Sequence, residues 1–315
     1  MCLIRAALLS LLLAATVTPA QALVMIGFSA ERHNRFASGW PTSPVPNTSA
    51  NFVGFGYDWS GVGWSADETY ISVAMISSQY FVYSAHRQFN KTLQFFSPTL
   101  NSVVQYTWPG SGITLKDPWT GVDSDFAIGK LDNPLDPAHG IATYPIFDLG
   151  LDTNAYIGLP LLTYGRGPGE SSPRVGIDTV AGFDHLDLRP YNPANPDNAG
   201  DGTDDTYTVY HTHTDSGPQD STHYEVGDSN SPLFVPFRGR LAILGTHSAV
   251  GQEAGTWYSY DNFIPVYLNQ MMDLDIPFTT VPEPEAGTVL FLLAVAGFGL
   301  LKRKGQQARS QNPRQ

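Results

Sequence analysis

The sequence predicts an all-β fold, two barrels or a sandwich, closed by one C-terminal helix. Three observations predict it. Short runs rich in β-branched and aromatic residues dominate the chain, and clusters of Gly, Pro, Asn and Asp separate them. Helical periodicity is absent until the chain nears its end.

In order, the runs cover residues 51–57, 70–76, 79–83, 102–108 and 125–129, and then 161–164, 206–211, 232–235 and 240–245. Each is too short for a helix of ordinary length and is bounded by turn formers. Phe263, Val266, Tyr267, Met271 and Leu274 then recur at spacings of three and four, which predicts an amphipathic helix over about 262–274. No internal repeat is visible. The two sets of strands point to layers of sheet closing on a shared core.

Composition narrows the function. The 315 residues carry 29 acidic against 17 basic side chains, and 42% of them are apolar. That apolar fraction excludes a disordered chain. The acidic balance excludes nucleic acid as a partner, because phosphates demand a basic face. A single cysteine, Cys2, excludes a disulfide framework and a cysteine-rich zinc site.

Both ends read as targeting segments. Residues 1–22 have the form of a secretory signal: Arg5 supplies the positive region, 6–17 an apolar run, and Ala20-Gln21-Ala22 the small residues of a cleavage site. Cys2 would leave with it, so the mature chain has no cysteine. At the other end, Val281-Pro282-Glu283-Pro284 precedes an uncharged apolar stretch at 286–301 and the cluster Lys302-Arg303-Lys304, followed by a polar tail over 305–315. Sixteen apolar residues are slightly short for a membrane span, and the basic cluster would hold that end in the cytoplasm. This order resembles the PEP-CTERM sorting signal of exopolysaccharide-producing Gram-negative bacteria, taken here as 281–304. It implies an exosortase-type sorting enzyme as a partner beside signal peptidase, and transient anchoring through 286–301. Between the two signals 27 acidic and 11 basic residues remain, a formal charge of −16.

The stretch 190–205, PYNPANPDNAGDGTDD, is a polar loop between strands. Its carboxylates are close enough to bind calcium, but their spacing is not that of an EF-hand. His211 and His213 alternate with Asp215 nearby, the ligand types of a zinc site, and a solvent-facing strand before a loop accounts for them equally well.

Three stretches carry chemistry. Phe81-Val-Tyr-Ser-Ala-His86 is an apolar strand ending in a histidine. Asp125-Phe-Ala-Ile-Gly-Lys-Leu131 is an aspartate opening a buried strand. Gly227-Asp-Ser-Asn-Ser-Pro-Leu233 places a serine in a tight turn before another strand. Singly each has a bland explanation: a strand-end histidine bonded to backbone, a turn cap, a common loop tripeptide. Together they supply acyl transfer, which needs a hydroxyl nucleophile, an imidazole base and a carboxylate to orient it. Asp123 competes with Asp125, but the apolar run follows Asp125 directly.

These stretches resemble the motifs of the chymotrypsin-like serine proteases, in the family's order of His, Asp and Ser. The likeness spans roughly 51–274. It implies two six-stranded Greek-key β-barrels with a C-terminal helix, the first over 23–140 holding His and Asp, the second over 141–280 holding Ser. It implies Ser229 as nucleophile, His86 as general base and acid, Asp125 as the orienting carboxylate, and an oxyanion hole from the N–H groups of Gly227 and Ser229. No metal or cofactor is needed. His223 would lie at the base of the primary specificity pocket, His247 would face a substrate carboxylate as in glutamyl endopeptidases, and the Ser248 backbone would pair with substrate. An acidic or polar side chain is therefore the expected preference. Three departures stand out: one alanine is missing before His86, Asn230 replaces the usual glycine, and no activation site is visible to supply the amine that Asp228 pairs with in relatives.

The expected function is a secreted serine endopeptidase acting on polypeptides, exported to the cell envelope surface or extracellular matrix. The alternatives are a catalytically inactive scaffold that binds matrix components and a purely structural biofilm protein.

Overall fold

Seven strands form the first sheet: β1 (Val62–Ser65), β2 (Ser72–Met75), β3 (Tyr80–Ser84), β4 (Thr92–Ser97), β5 (Ser102–Thr107), β6 (Ile113–Lys116) and β7 (Asp123–Lys130). They lie in the order β5-β4-β1-β2-β3-β7-β6, all pairs antiparallel. The run β4-β1-β2-β3 is a Greek key. The computed structural model describes residues 23–167, 170–188 and 205–281. The signal segment 1–22, the sorting signal beyond Val281, its apolar stretch 286–301, the tail 305–315 and all of the acidic loop except Asp205 lie outside the described residues. Among the described residues no helix is long and apolar enough to cross a membrane.

The second sheet has nine strands: β8 (Ile146–Phe147), β9 (Pro160–Gly165), β10 (Arg174–Thr179), β11 (Gly182–Leu186), β12 (Thr206–His213), β13 (Pro232–Phe237), β14 (Arg240–Glu253), β15 (Thr256–Phe263) and β16 (Thr280–Val281). Its main path is β10-β9-β13-β14-β15-β12-β11, with the short β8 joining in parallel to β14 and β16. Here β13, β14, β15 and β12 make the Greek key. Strand counts are thus seven and nine where six and six were expected. In the first sheet β6 pairs only with β7; in the second the two-residue strands β8 and β16 lie off a main path of seven.

Alternation along β3 explains how the layers pack. Phe81 and Tyr83 point into a cluster with Leu93, Phe95 and Trp108 that the first sheet encloses by itself. Val82 points the other way, into a core shared with Tyr164, Phe234 and Ile243 of the second sheet. Phe126 and Ile128 of β7 join that shared core, while Ala127 between them faces inward. A third cluster, around Tyr156, Val209, Leu244 and Phe263, lies within the second sheet. Both faces of the central strands are buried, which is why they read as continuous apolar runs. Arg35, itself buried, crosses the shared boundary, donating to Val62 O at 2.8 Å, Trp59 O at 2.6 Å and the Tyr164 hydroxyl at 2.9 Å.

Two expectations need correction. Residues 51–57 form turns rather than a strand. The aromatic alternation there serves packing, with the Trp59 indole N–H donating to Gly54 O at 2.9 Å. The terminal helix is shorter than its periodicity implied. Asn262 and Phe263 stay in β15, Ile264–Tyr267 is a 3₁₀ turn with Pro265 at its start, and only Leu268–Asp273 is α-helical. Ile264, Tyr267, Leu268 and Met271 pack into the shared core, whereas Leu274 is exposed.

Candidate active site

Strand register builds the site. In the β3–β7 pair Ser84 lies opposite Phe126, and Ala85 N donates to Asp125 O at 2.7 Å. His86, two residues past the end of β3, is therefore held beside Asp125. Its backbone N–H donates to Asp125 Oδ1 at 2.7 Å, and its ring Nδ1 lies 2.8 Å from Asp125 Oδ2. The other ring nitrogen, Nε2, lies 2.9 Å from Ser229 Oγ. Two sheets and three distant segments converge on one imidazole.

Asp125 is fully buried, and its Oδ2 also accepts from the Ser248 hydroxyl. Its own N–H donates to Thr206 Oγ1 at 2.9 Å. The His86 N–H, the His86 ring and the Ser248 hydroxyl thus hold the carboxylate at three points. Asp123, the competitor, is exposed on the same strand and pairs with Lys116 Nζ at 3.1 Å.

The turn that carries Ser229 is held against β14. Asn230 N donates to His247 O at 3.0 Å, and His247 N donates to Ser231 O at 2.8 Å. Gly227 has φ = +113° and Asn230 has φ = +75°. The second value lies in the left-handed region, which asparagine tolerates better than other non-glycine residues. Asn230 also works through its side chain, whose Oδ1 accepts from Ser84 N at 2.8 Å. Ser84 Oγ in turn donates to His247 O at 2.6 Å and accepts from Asn262 Nδ2 at 3.0 Å. Sequence reasoning missed Ser84 and Asn262 as site supports. Among the described residues the N–H groups of Gly227 and Ser229 donate to no protein acceptor.

Asp228, between them, points away from His86 into the protein. Its Oδ2 accepts from Leu23 N at 2.8 Å and Glu225 N at 3.0 Å. Burial pushes its pKa up to about 6, against the pull of those N–H groups. Gly165 makes room for it, since a Cβ there would stand 2.6 Å from Asp228 Oδ1. The N-terminal strand Val24–Met25 pairs with Thr222–His223 and so clamps the segment leading into the turn.

The residues expected to read the substrate are placed less simply. His223 is buried flat on Trp257, with ring centroids 4.5 Å apart and planes 3° from parallel. Its Nε2 lies 3.1 Å from Glu225 Oε1, and burial, with His213 and His211 close by, pushes its pKa down to about 4. His247 is buried behind Tyr224, their rings stacked at 4.0 Å, and burial holds its pKa well below the usual imidazole range. His211 and His213 do not lie on a solvent-facing strand: both are buried, His211 Nδ1 3.3 Å from Asp178 Oδ2 and His213 Nδ1 3.2 Å from Ser221 Oγ, while Asp215 is exposed. Among the described residues no group of three or more His, Cys, Asp or Glu is arranged to hold a metal ion.

Two Greek-key sheets sharing a core, with a short terminal helix, make this a chymotrypsin-like fold. No family model matches the chain, and no curated protein matches it by sequence. Among solved structures it is similar to a mutant of human heparin binding protein (CAP37), with 14% identity and a TM-score of 0.46 over 71% of this chain and 95% of that one. Human heparin binding protein itself matches with 13% identity and a TM-score of 0.44, over 70% of this chain and 93% of that one.

Proposed function

We propose that the protein is a secreted serine endopeptidase. One observation carries the reading: Ser229 Oγ, both nitrogens of His86 and the buried Asp125 carboxylate form an unbroken line, with contacts of 2.9 and 2.8 Å.

In that geometry His86 Nε2 takes the hydroxyl proton as Ser229 Oγ bonds to a substrate carbonyl carbon. The Asp125 carboxylate receives Nδ1–H, which fixes the tautomer whose Nε2 lone pair faces Ser229 Oγ as base. The carbonyl oxygen becomes an anion facing the N–H groups of Gly227 and Ser229, which donate to no acceptor among the described residues. His86 then hands its proton to the leaving amine as the C–N bond breaks. Water repeats the sequence on the acyl-enzyme and releases a carboxylate product. Every proton and bond in this sequence is handled by the three side chains and the two N–H groups.

The secretory segment at 1–22 and the PEP-CTERM-like segment at 281–304 support export to the cell envelope surface or extracellular matrix, with signal peptidase and an exosortase-type enzyme as processing partners. Reaction of the folded protein with a fluorophosphonate probe tests the activity. Wild type should label at Ser229 and Ser229→Ala should not. Absence of labelling on folded wild type would favour the inactive scaffold that binds matrix components.

A further inference from the structure

A peptide whose carbonyl carbon meets Ser229 Oγ must set the adjoining side chain against the walls beside the nucleophile turn. One wall is the segment from Tyr224 to Gly227 that leads into Ser229. The other is β14 at Ser248–Val250, hydrogen-bonded to the turn just behind the nucleophile through His247. What lies between them decides which side chain fits.

Tyr224 opens the first wall, and its ring reaches across to the second at His247. It is fully buried, and its ring stacks on the His247 imidazole at 4.0 Å and meets His211 edge-on at 5.5 Å. Leu23 and Met25 cluster with it from the N-terminal strand, and the half-buried Val250 of β14 packs against that cluster. Its backbone is also fixed, because Tyr224 N donates to Ser259 Oγ at 3.0 Å and Ser259 is the residue paired with Val250 across β14 and β15. A ring held on so many sides cannot be displaced without breaking a packed cluster.

We infer that Tyr224, covered by Val250, fills the recess for the residue on the acyl side of the cut bond, so that the protein cleaves after short side chains such as Gly, Ala and Ser. The inference rests on the serine endopeptidase reading of the same site. It replaces the acidic preference expected from His247. A carboxylate reaching for that imidazole would meet the Tyr224 ring first, and behind it the Asp261 carboxyl, whose Oδ1 lies 3.9 Å from His247 Nδ1. His223 offers no substitute, since its ring is committed to Trp257 and Glu225. Methylene-sized differences in a closed apolar recess are worth roughly 10- to 200-fold in kcat/KM.

The test uses the protein produced from its full-length chain, the fluorophosphonate probe, and a peptide library varied at the residue before the scissile bond. Wild type should cut after Ala, Ser or Gly about 100-fold faster than after Leu, Phe, Glu or Arg. Tyr224→Gly and Val250→Gly should each narrow that gap at least tenfold by admitting longer side chains. Val250 is half-buried at the lip, so its variant carries the test if Tyr224→Gly fails to fold. Equal wild-type cleavage after long and short residues, a Glu preference, or an unchanged profile in a variant that still labels would each overturn the inference, as would labelling without cleavage of any peptide. Failure of folded wild type to label at all would overturn the endopeptidase reading beneath it, a different and separately visible result.

Discussion

The backbone nitrogen of Leu23 lies 2.8 Å from Asp228 Oδ2, and both residues are fully buried. Leu23 is also the residue that follows the expected cleavage site at Ala20-Gln21-Ala22. A chain that starts at Leu23 presents an α-ammonium to this carboxylate, whereas a chain that retains Ala22 presents only a peptide N–H. The ammonium adds the attraction of a full positive charge to the hydrogen bond, and that attraction is larger where water is excluded. Cleavage by signal peptidase would then order the Gly227–Asn230 turn directly, with no separate activation site in the chain. Protein beginning at Leu23 should label with fluorophosphonate at least about tenfold faster than protein beginning at Gln21, a difference of about 1.4 kcal/mol. Equal rates would show that the amine plays no part.

Asn230 holds a left-handed φ and gives its Oδ1 to Ser84 N, and two substitutions separate these jobs. Asn230→Gly keeps the backbone conformation but orphans the buried Ser84 N–H, which costs about 1–3 kcal/mol. Its melting temperature should fall while labelling at Ser229 persists. Asn230→Val adds strain at a positive φ that β-branched residues avoid, and labelling should be lost. Full activity in the valine variant would show that the turn does not need this conformation.

Asp125 and Ser248 should differ sharply in what their loss costs. Asp125→Asn keeps the shape but supports the wrong imidazole tautomer, and kcat should drop on the order of 10⁴-fold. Ser248→Ala removes one of the donors that orient Asp125 Oδ2, and leaves the His86 contacts in place. A fall of about tenfold in kcat with little change in KM is expected there, in keeping with the effect of outer-shell partners. Steady-state kinetics on a peptide ester checks both.

The three side chains that meet at His86 were legible as candidates because acyl-transfer chemistry dictates residue types: an imidazole after an apolar strand, an aspartate opening one, a serine in a glycine turn. Strands were legible where both faces are buried, as in β3 and β7. Those missed carry mixed patterns, such as β4 (TLQFFS), β10 (RVGIDT) and β15 (TWYSYDNF), where one partly exposed face dilutes the apolar signal and pairing with neighbours supplies the stability. Residues 51–57 misled for the opposite reason, since alternating aromatics there pack as a turn around Gly54. Tyr224, Ser84 and Asn262 acquire their roles only from the register between distant segments, which no local pattern encodes. The same holds for His247, whose position beside the nucleophile was legible but whose cover by Tyr224 was not.

Asp261 offers a test of the buried polar cluster behind the nucleophile turn. It is fully buried on β15 opposite His247, and burial pushes its pKa up to about 8, partly offset by His211. Burial also works against charge on His211, but Asp178 in contact outweighs it and holds that imidazole above its ordinary value. In the unfolded chain Asp261 ionises near the usual carboxylate range, so between about pH 4 and pH 8 the folded state binds a proton that the unfolded state has released. Stability contributed by this group is therefore present at low pH and is lost as pH rises through that window. Each unit of difference is worth about 1.4 kcal/mol, so the loss is of the order of a few kcal/mol. Asp261→Asn, neutral at every pH and nearly isosteric, should escape it. In urea unfolding the variant should gain on wild type as pH goes from about 5 to about 8, and then hold a constant lead above that. A difference that does not change with pH would mean that Asp261 is ionised in the folded protein throughout, with His211 and His247 as its compensating charges.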